Sequence, residues 1–128
     1  MVARYLSSAV LNHTLRNTSF ALPVGGTTIY VQVHTGDPGV SATASPLAST
    51  PRFGITFNAP VSATAVQDTS GSIVSSATGT ITHISLWDAS STATGLAFFK
   101  GALAASKVVA NVGDTISAVS GAITVTIA

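Results

Sequence analysis

Glutamate is absent from this 128-residue chain, and so is cysteine. The acids are Asp37, Asp68, Asp88 and Asp114, and the bases are Arg4, Arg16, Arg52, Lys100 and Lys107. Charged residues make up 7%, against about 25% in an ordinary soluble domain. Each shortage excludes something. Without cysteine there is no disulfide and no thiolate metal site. Without glutamate, a glycosidase carboxylate pair would have to come from four scattered aspartates. A net charge of +1 makes no field that would gather nucleic acid or anionic lipid. The chain is apolar on average, yet no run approaches the ~20 apolar residues of a spanning helix. Met1 to Val10 is a poor secretory signal, because Ser7 and Ser8 break its apolar stretch.

The surface must then be built from Ser, Thr, Ala, Gly and exposed apolar groups. A folded monomer of this size exposes roughly 6,000 Å². Nine charges give about one per 700 Å², where ordinary composition gives about one per 200 Å². A free monomer with so little charge is weakly protected against association, and a subunit of a symmetric array needs no such protection. The composition points to a homo-oligomer.

The length suits a single domain over 1–128, divided into an N-terminal helix within 1–20 and a β domain over 27–128. Residues 3–17 carry the one helical pattern: Ala3, Leu6, Val10, Leu11 and Leu15 share a face, and Pro23 forbids continuation. From Thr27 the period becomes two. Ile29, Val31 and Val33 alternate with Tyr30, Gln32 and His34, which predicts a half-buried strand. It ends at Gly36-Asp37-Pro38-Gly39, a turn signal. Residues 40–51 have no periodicity and read as an exposed loop.

Short strands are expected at 53–57, 61–66, 72–75, 80–87 and 96–99. In 80–87, Ile84 and Leu86 face the core, and Ile81, His83 and Trp87 take the other face. Residues 88–95 read as a polar loop. The alanines of 101–109 suit a helical turn. Residues 115–119 and 122–127, separated by Ser120-Gly121, read as a hairpin. The pattern is mainly β, an antiparallel sandwich or jelly-roll-like domain with one N-terminal α-helix.

Converging chemistry is hard to find. Asp37, Asp68 and Asp114 each sit in a turn, where an aspartate side chain bonds local backbone. His13, His34 and His83 are far apart in sequence, with no i, i+4 or HxH spacing, so no local metal signature exists. There is no GxSxG elbow, and Gly25-Gly26-Thr27-Thr28 lacks the lysine and spacing of a phosphate loop. Trp87 and the phenylalanines read as core, with Trp87 at a strand end near a rim. No catalytic, cofactor-binding or metal residue is assigned, and no enzyme activity is expected.

Several segments, in order, carry a resemblance: LNHTLRNTSF, IYVQVHTGDPG, PRFGITF, ITHISLWDAS, and GALAASKVV followed by GDT. Together they resemble a family of small bacteriophage virion proteins, labelled variously head-decoration, minor tail or tail-fibre-like. Arg52 stands where that family has an arginine before a V/I-T-F strand, here Ile55-Thr56-Phe57. Thr50 stands where the family usually carries an aromatic. The resemblance implies a structural role, a β-sandwich-like fold and a virion protein made in the host cytoplasm. Its partners would be copies of itself, in a trimer matching the threefold positions of an icosahedral shell, and the major capsid or tail proteins.

Two functions follow from it. The first is a capsid-associated decoration or minor capsid protein that binds the particle exterior and stabilises it. The second is a minor tail or tail-fibre component that meets the host surface through the loops at 40–51 and 88–95, with sugars as a ligand class. A third reading, a small hydrolase or lectin-like accessory, suffers from the missing carboxylates.

Overall fold

The computed structural model describes Val2–Ala3 and residues 28–127. Among the described residues nine strands follow in order: β1 (Val2–Ala3), β2 (Ile29–His34), β3 (Phe53–Ile55), β4 (Thr64–Val66), β5 (Gly71–Val74), β6 (Gly79–Trp87), β7 (Ala97–Val109), β8 (Thr115–Ala118) and β9 (Thr124–Thr126). Every pairing is antiparallel. The main sheet has the order β1-β7-β6-β2-β3, and two ribbons, β4·β9 and β5·β8, complete the set. This is mainly β and antiparallel, as expected. The pairing shows one five-stranded sheet and two two-stranded ribbons, and it does not show the second sheet of a sandwich. No helix occurs among the described residues. Of the expected helix at 3–17, Ala3 lies in β1, opposite Phe99; residues 4–17 lie outside the described residues.

The period-two reading of β2 and β6 holds on the core side. Val31, Val33, Ile84 and Leu86 are buried in one apolar cluster with Phe53, Ile55, Ile116, Ile123 and Val125, and Ile29 packs against it. The sheet and both ribbons therefore share one core. Ile81 belongs to this side too, not to the face of His83 and Trp87. The cause is an irregularity in the β6·β7 ladder. Ile81 pairs with Lys107, but His83 already pairs with Ala102, so β7 carries extra residues there. Such a bulge changes which face a residue addresses, and Ile81 and Ile84, three apart, both reach the core.

Three other expectations are corrected. Residues 97–109 form one 13-residue strand, because segments on both sides of Leu103–Ser106 pair with β6, Gly101 and Ala102 with Ile84 and His83, and Lys107 to Val109 with Ile81 to Gly79. The segments around Ser120-Gly121 are not a hairpin: β8 pairs with β5, and β9 pairs with β4. The 40–51 loop is not simply exposed, since Ala42, Leu47 and Thr50 are buried.

Gln67 ties the ribbons together. It is 1% exposed, donates from Nε2 to the carbonyls of Thr69 (2.8 Å) and Ala118 (3.0 Å), and accepts at Oε1 from the Ile123 amide (3.2 Å). A buried amide with these bonds filled fixes where one ribbon ends and the next begins. Gly71 marks where β5 crosses β3, as a Cβ there would fall 2.5 Å from the Gly54 carbonyl oxygen.

Candidate functional site

The second face of the main sheet carries the polar chemistry. Along β2 it presents Tyr30, Gln32 and His34; directly across on β6 stand Trp87, Ser85 and His83. The sequence pattern marks this face as solvent-exposed. Instead Gln32, His34, Ser85 and Trp87 are all buried, because the 36–50 loop folds back over them. Main-chain bonds hold that loop: Thr35 N to Ser45 O (2.8 Å) and Leu47 N to Val33 O (3.0 Å). Ala42, Trp87 and Ala97, with Tyr30 alongside, form a small second core beneath it.

His34 is fully buried, and its bonds settle its tautomer. Nδ1 lies 2.8 Å from the Ala44 carbonyl, which only accepts, so Nδ1 carries the proton. Nε2 then accepts from the Ser85 hydroxyl at 2.7 Å, and Ser85 Oγ accepts from Trp87 Nε1 at 2.7 Å. Burial pushes the His34 pKa below its ordinary value, against the favourable pull of the Ala44 carbonyl. The histidine is a structural link between loop and sheet. His83 lies opposite it on β6, with Nδ1 2.9 Å from the Thr82 hydroxyl. His13 lies outside the described residues.

Arg52 is the centre of this face. It is 5% exposed, and its guanidinium carbon sits 3.6 Å from the centroid of the Trp87 ring, a cation–π contact. Nε donates to Gln32 Oε1 at 3.1 Å. Nη1 reaches three carbonyls of one loop, those of Ala89 (2.9 Å), Ser91 (2.6 Å) and Thr94 (2.9 Å). Desolvation lowers its pKa to about 10, with Asp88 opposing the shift, so it stays charged at neutral pH. A planar fork with several fixed donors suits this task; a lysine would present one point charge.

Asp88 closes the same loop by accepting from Leu96 N at 2.7 Å. Gly95 has φ +94°, and a Cβ there would come within 2.4 Å of Asp88 Oδ1. Asp37 accepts from Gly39 N at 2.8 Å and from Lys100 Nζ at 2.6 Å. Asp114 accepts from Asn111 N at 2.9 Å. The turn reading thus holds for Asp37 and Asp114; Asp68 shows no side-chain bond among the described residues. No three of the described His and Asp residues gather where they could hold a metal.

Two concavities flank this scaffold. A groove of about 340 Å³ runs between the two loops, lined by Gln32, Pro46, Leu47, Ser49, Thr50, Pro51 and Ser90, Ser91 and Thr92. On the other side of the molecule an apolar groove of about 370 Å³ is walled by side chains such as Ile29, Phe57, Phe98, Phe99 and Ile127. Neither holds a titratable group among these residues. Sequence reasoning placed loops 40–51 and 88–95 at the rim but not their joining. Its one usable signal was Arg52, a basic residue in an otherwise neutral stretch.

No curated protein matches the chain. The family described as Podophage GP4 fiber I protein gp80 matches residues 1–126, nearly the whole length. That match favours a fibre-type structural protein and lends no support to capsid decoration. A charge-poor β scaffold with two pinned loops and a match over nearly all its length therefore belongs to the podophage GP4 fibre I protein gp80 family, a family of phage structural proteins.

Proposed function

We propose that the chain is a non-enzymatic component of the phage tail fibre, a homo-oligomer in the virion, whose loop rim at 36–50 and 88–96 meets the host surface. The observation that carries this reading is the family match over residues 1–126. The fold adds a physical reason for choosing that rim. Loops that contact a partner usually lose conformational freedom on binding, which costs affinity. Here Arg52, Asp88 and His34 hold both loops in place beforehand. Fibre subunits pack side by side, and the sparse surface charge suits close packing of copies.

Immunogold electron microscopy of purified particles tests the reading. Antibody against the chain should decorate the tail fibres, and quantitative gels of virions should give a low copy number. Uniform label over the head, with a copy number matching the capsid lattice, would overturn it. Light scattering of the purified protein should give a multiple of the monomer mass.

A further inference from the structure

Gln32 presents one end of a buried side-chain amide to the groove between the two loops. Gln32 is 7% exposed. Arg52 Nε donates to its Oε1, which fixes the amide orientation and leaves Nε2 as the other end. Among the described residues Nε2 has no acceptor. A buried N–H left unmet costs about 1–3 kcal/mol, and native structures rarely leave one so. Gln32 lines the groove, so an acceptor can reach it from there.

The walls narrow down what that acceptor belongs to. Ser49, Ser90 and Thr92 are exposed hydroxyl residues with no side-chain bond among the described residues. Each both donates and accepts. Pro46 and Pro51 add C–H surface. Among the described residues no charged residue lines the groove. Arg52, close by, is turned onto the Trp87 ring and three loop carbonyls. These walls offer a phosphate or carboxylate no partner of opposite charge among the described residues, and offer an aromatic base no described ring to stack on. The volume of about 340 Å³ lies at the small end of the ~300–1,000 Å³ range of small-molecule sites. We propose that this groove binds an uncharged saccharide unit, with the Gln32 amide as its buried donor and the loop hydroxyls around its rim. The proposal rests on the fibre reading, since a host surface is where such a ligand would be met.

The test uses the full chain labelled with ¹⁵N. Glucose, mannose, rhamnose and N-acetylglucosamine are titrated singly to tens of millimolar, with galacturonate and inorganic phosphate as charged controls. At least one neutral sugar should shift the Gln32 side-chain amide and the backbone amides of 90–92 saturably, and the controls should not. Gln32→Met keeps the size and loses the donor, and should weaken binding about tenfold, the scale of one hydrogen bond. Ser90→Trp fills the groove from an exposed position and should abolish binding with the spectrum otherwise retained. If Gln32→Met fails to fold, Ser90→Trp decides alone. The proposal falls if no neutral sugar moves these signals, if the charged controls bind as well, or if a folded groove variant binds like the parent. Its failure beside gold-labelled fibres would remove the ligand and leave the fibre assignment standing.

Discussion

The Arg52 guanidinium is buried with carbonyl dipoles and an aromatic face around it, and only Asp88 acts on it as an opposite charge. Removing it would strand the carbonyls of Ala89, Ser91 and Thr94. Arg52→Leu should therefore destabilise the fold by about 3 kcal/mol, read by denaturant unfolding, and faster amide exchange should be concentrated in 88–96. Equal exchange in that loop before and after would show that the arginine does not hold it. His34 gives a pH signature. Burial lowers its folded pKa, and the facing groups His83 and Arg52 push the same way, while Asp37 and the Ala44 carbonyl oppose. The unfolded chain binds a proton near the ordinary value of 6.5, and the folded chain does so only at lower pH. The stability contributed by neutral His34 is full above that value and falls as pH drops below it, by at most about 1.4 kcal/mol per pH unit. In His34→Gln the melting temperature should be flatter between pH 7 and pH 5.5. A parent protein with no pH dependence across that window would contradict the assignment.

Strand β2 and the Ile84–Leu86 part of β6 were legible because their core face is apolar at period two; the bulge beside Ile81 breaks that period. Leu86→Ala should cost about 3 kcal/mol, whereas Val40→Ala, at 66% exposed, should stay within about 0.5 kcal/mol. Equal melting temperatures for both variants would contradict the placement of Leu86 on the core face of β6. Only the start of strand β7, within the expected strand at 96–99, was legible: Gly101 to Ala105 carry no alternation, and pairing with β6 on either side of Leu103–Ser106 makes the segment one strand. The partners of β8 and β9 were hidden for a related reason. A Ser-Gly turn reports a reversal of the chain, but strand pairing is set by long-range bonds such as those of Gln67. At the 88–96 loop, Gly95 supplies a left-handed backbone against Asp88. Gly95→Ala should loosen this loop and lower stability by about 1–2 kcal/mol, with the largest chemical-shift changes at Asp88 and Leu96; no change there would show that the loop tolerates a Cβ.

The molecule as a whole has little charge to attach with. Among the described residues Lys100 pairs with Asp37, Arg52 is buried, and Lys107 is exposed without an acidic partner. Scattered surface charges contribute little once salt shortens the Debye length to about 8 Å. Attachment to the particle should therefore survive washing to about 1 M sodium chloride, because apolar burial is not screened. Release over that range, followed by gel analysis of the wash, would show that ion pairs hold the protein on.

Composition and local pattern were enough to show a charge-poor, cysteine-free β domain with apolar alternation in β2 and at Ile84–Leu86, turn aspartates at 37 and 114, and a virion-protein resemblance. These are local or compositional, and period two or a turn signal needs no partner to be read. Burial of the Gln32–His34 face, the link Arg52 makes to the 88–96 loop and the separation of the ribbons by Gln67 came only with the folded chain. Each depends on polar groups finding partners between 10 and 56 residues away along the chain. An alternating strand looks the same whether its polar side meets water or a folded-back loop. Burial of that side is stable only because the loop brings the matching donors and acceptors with it.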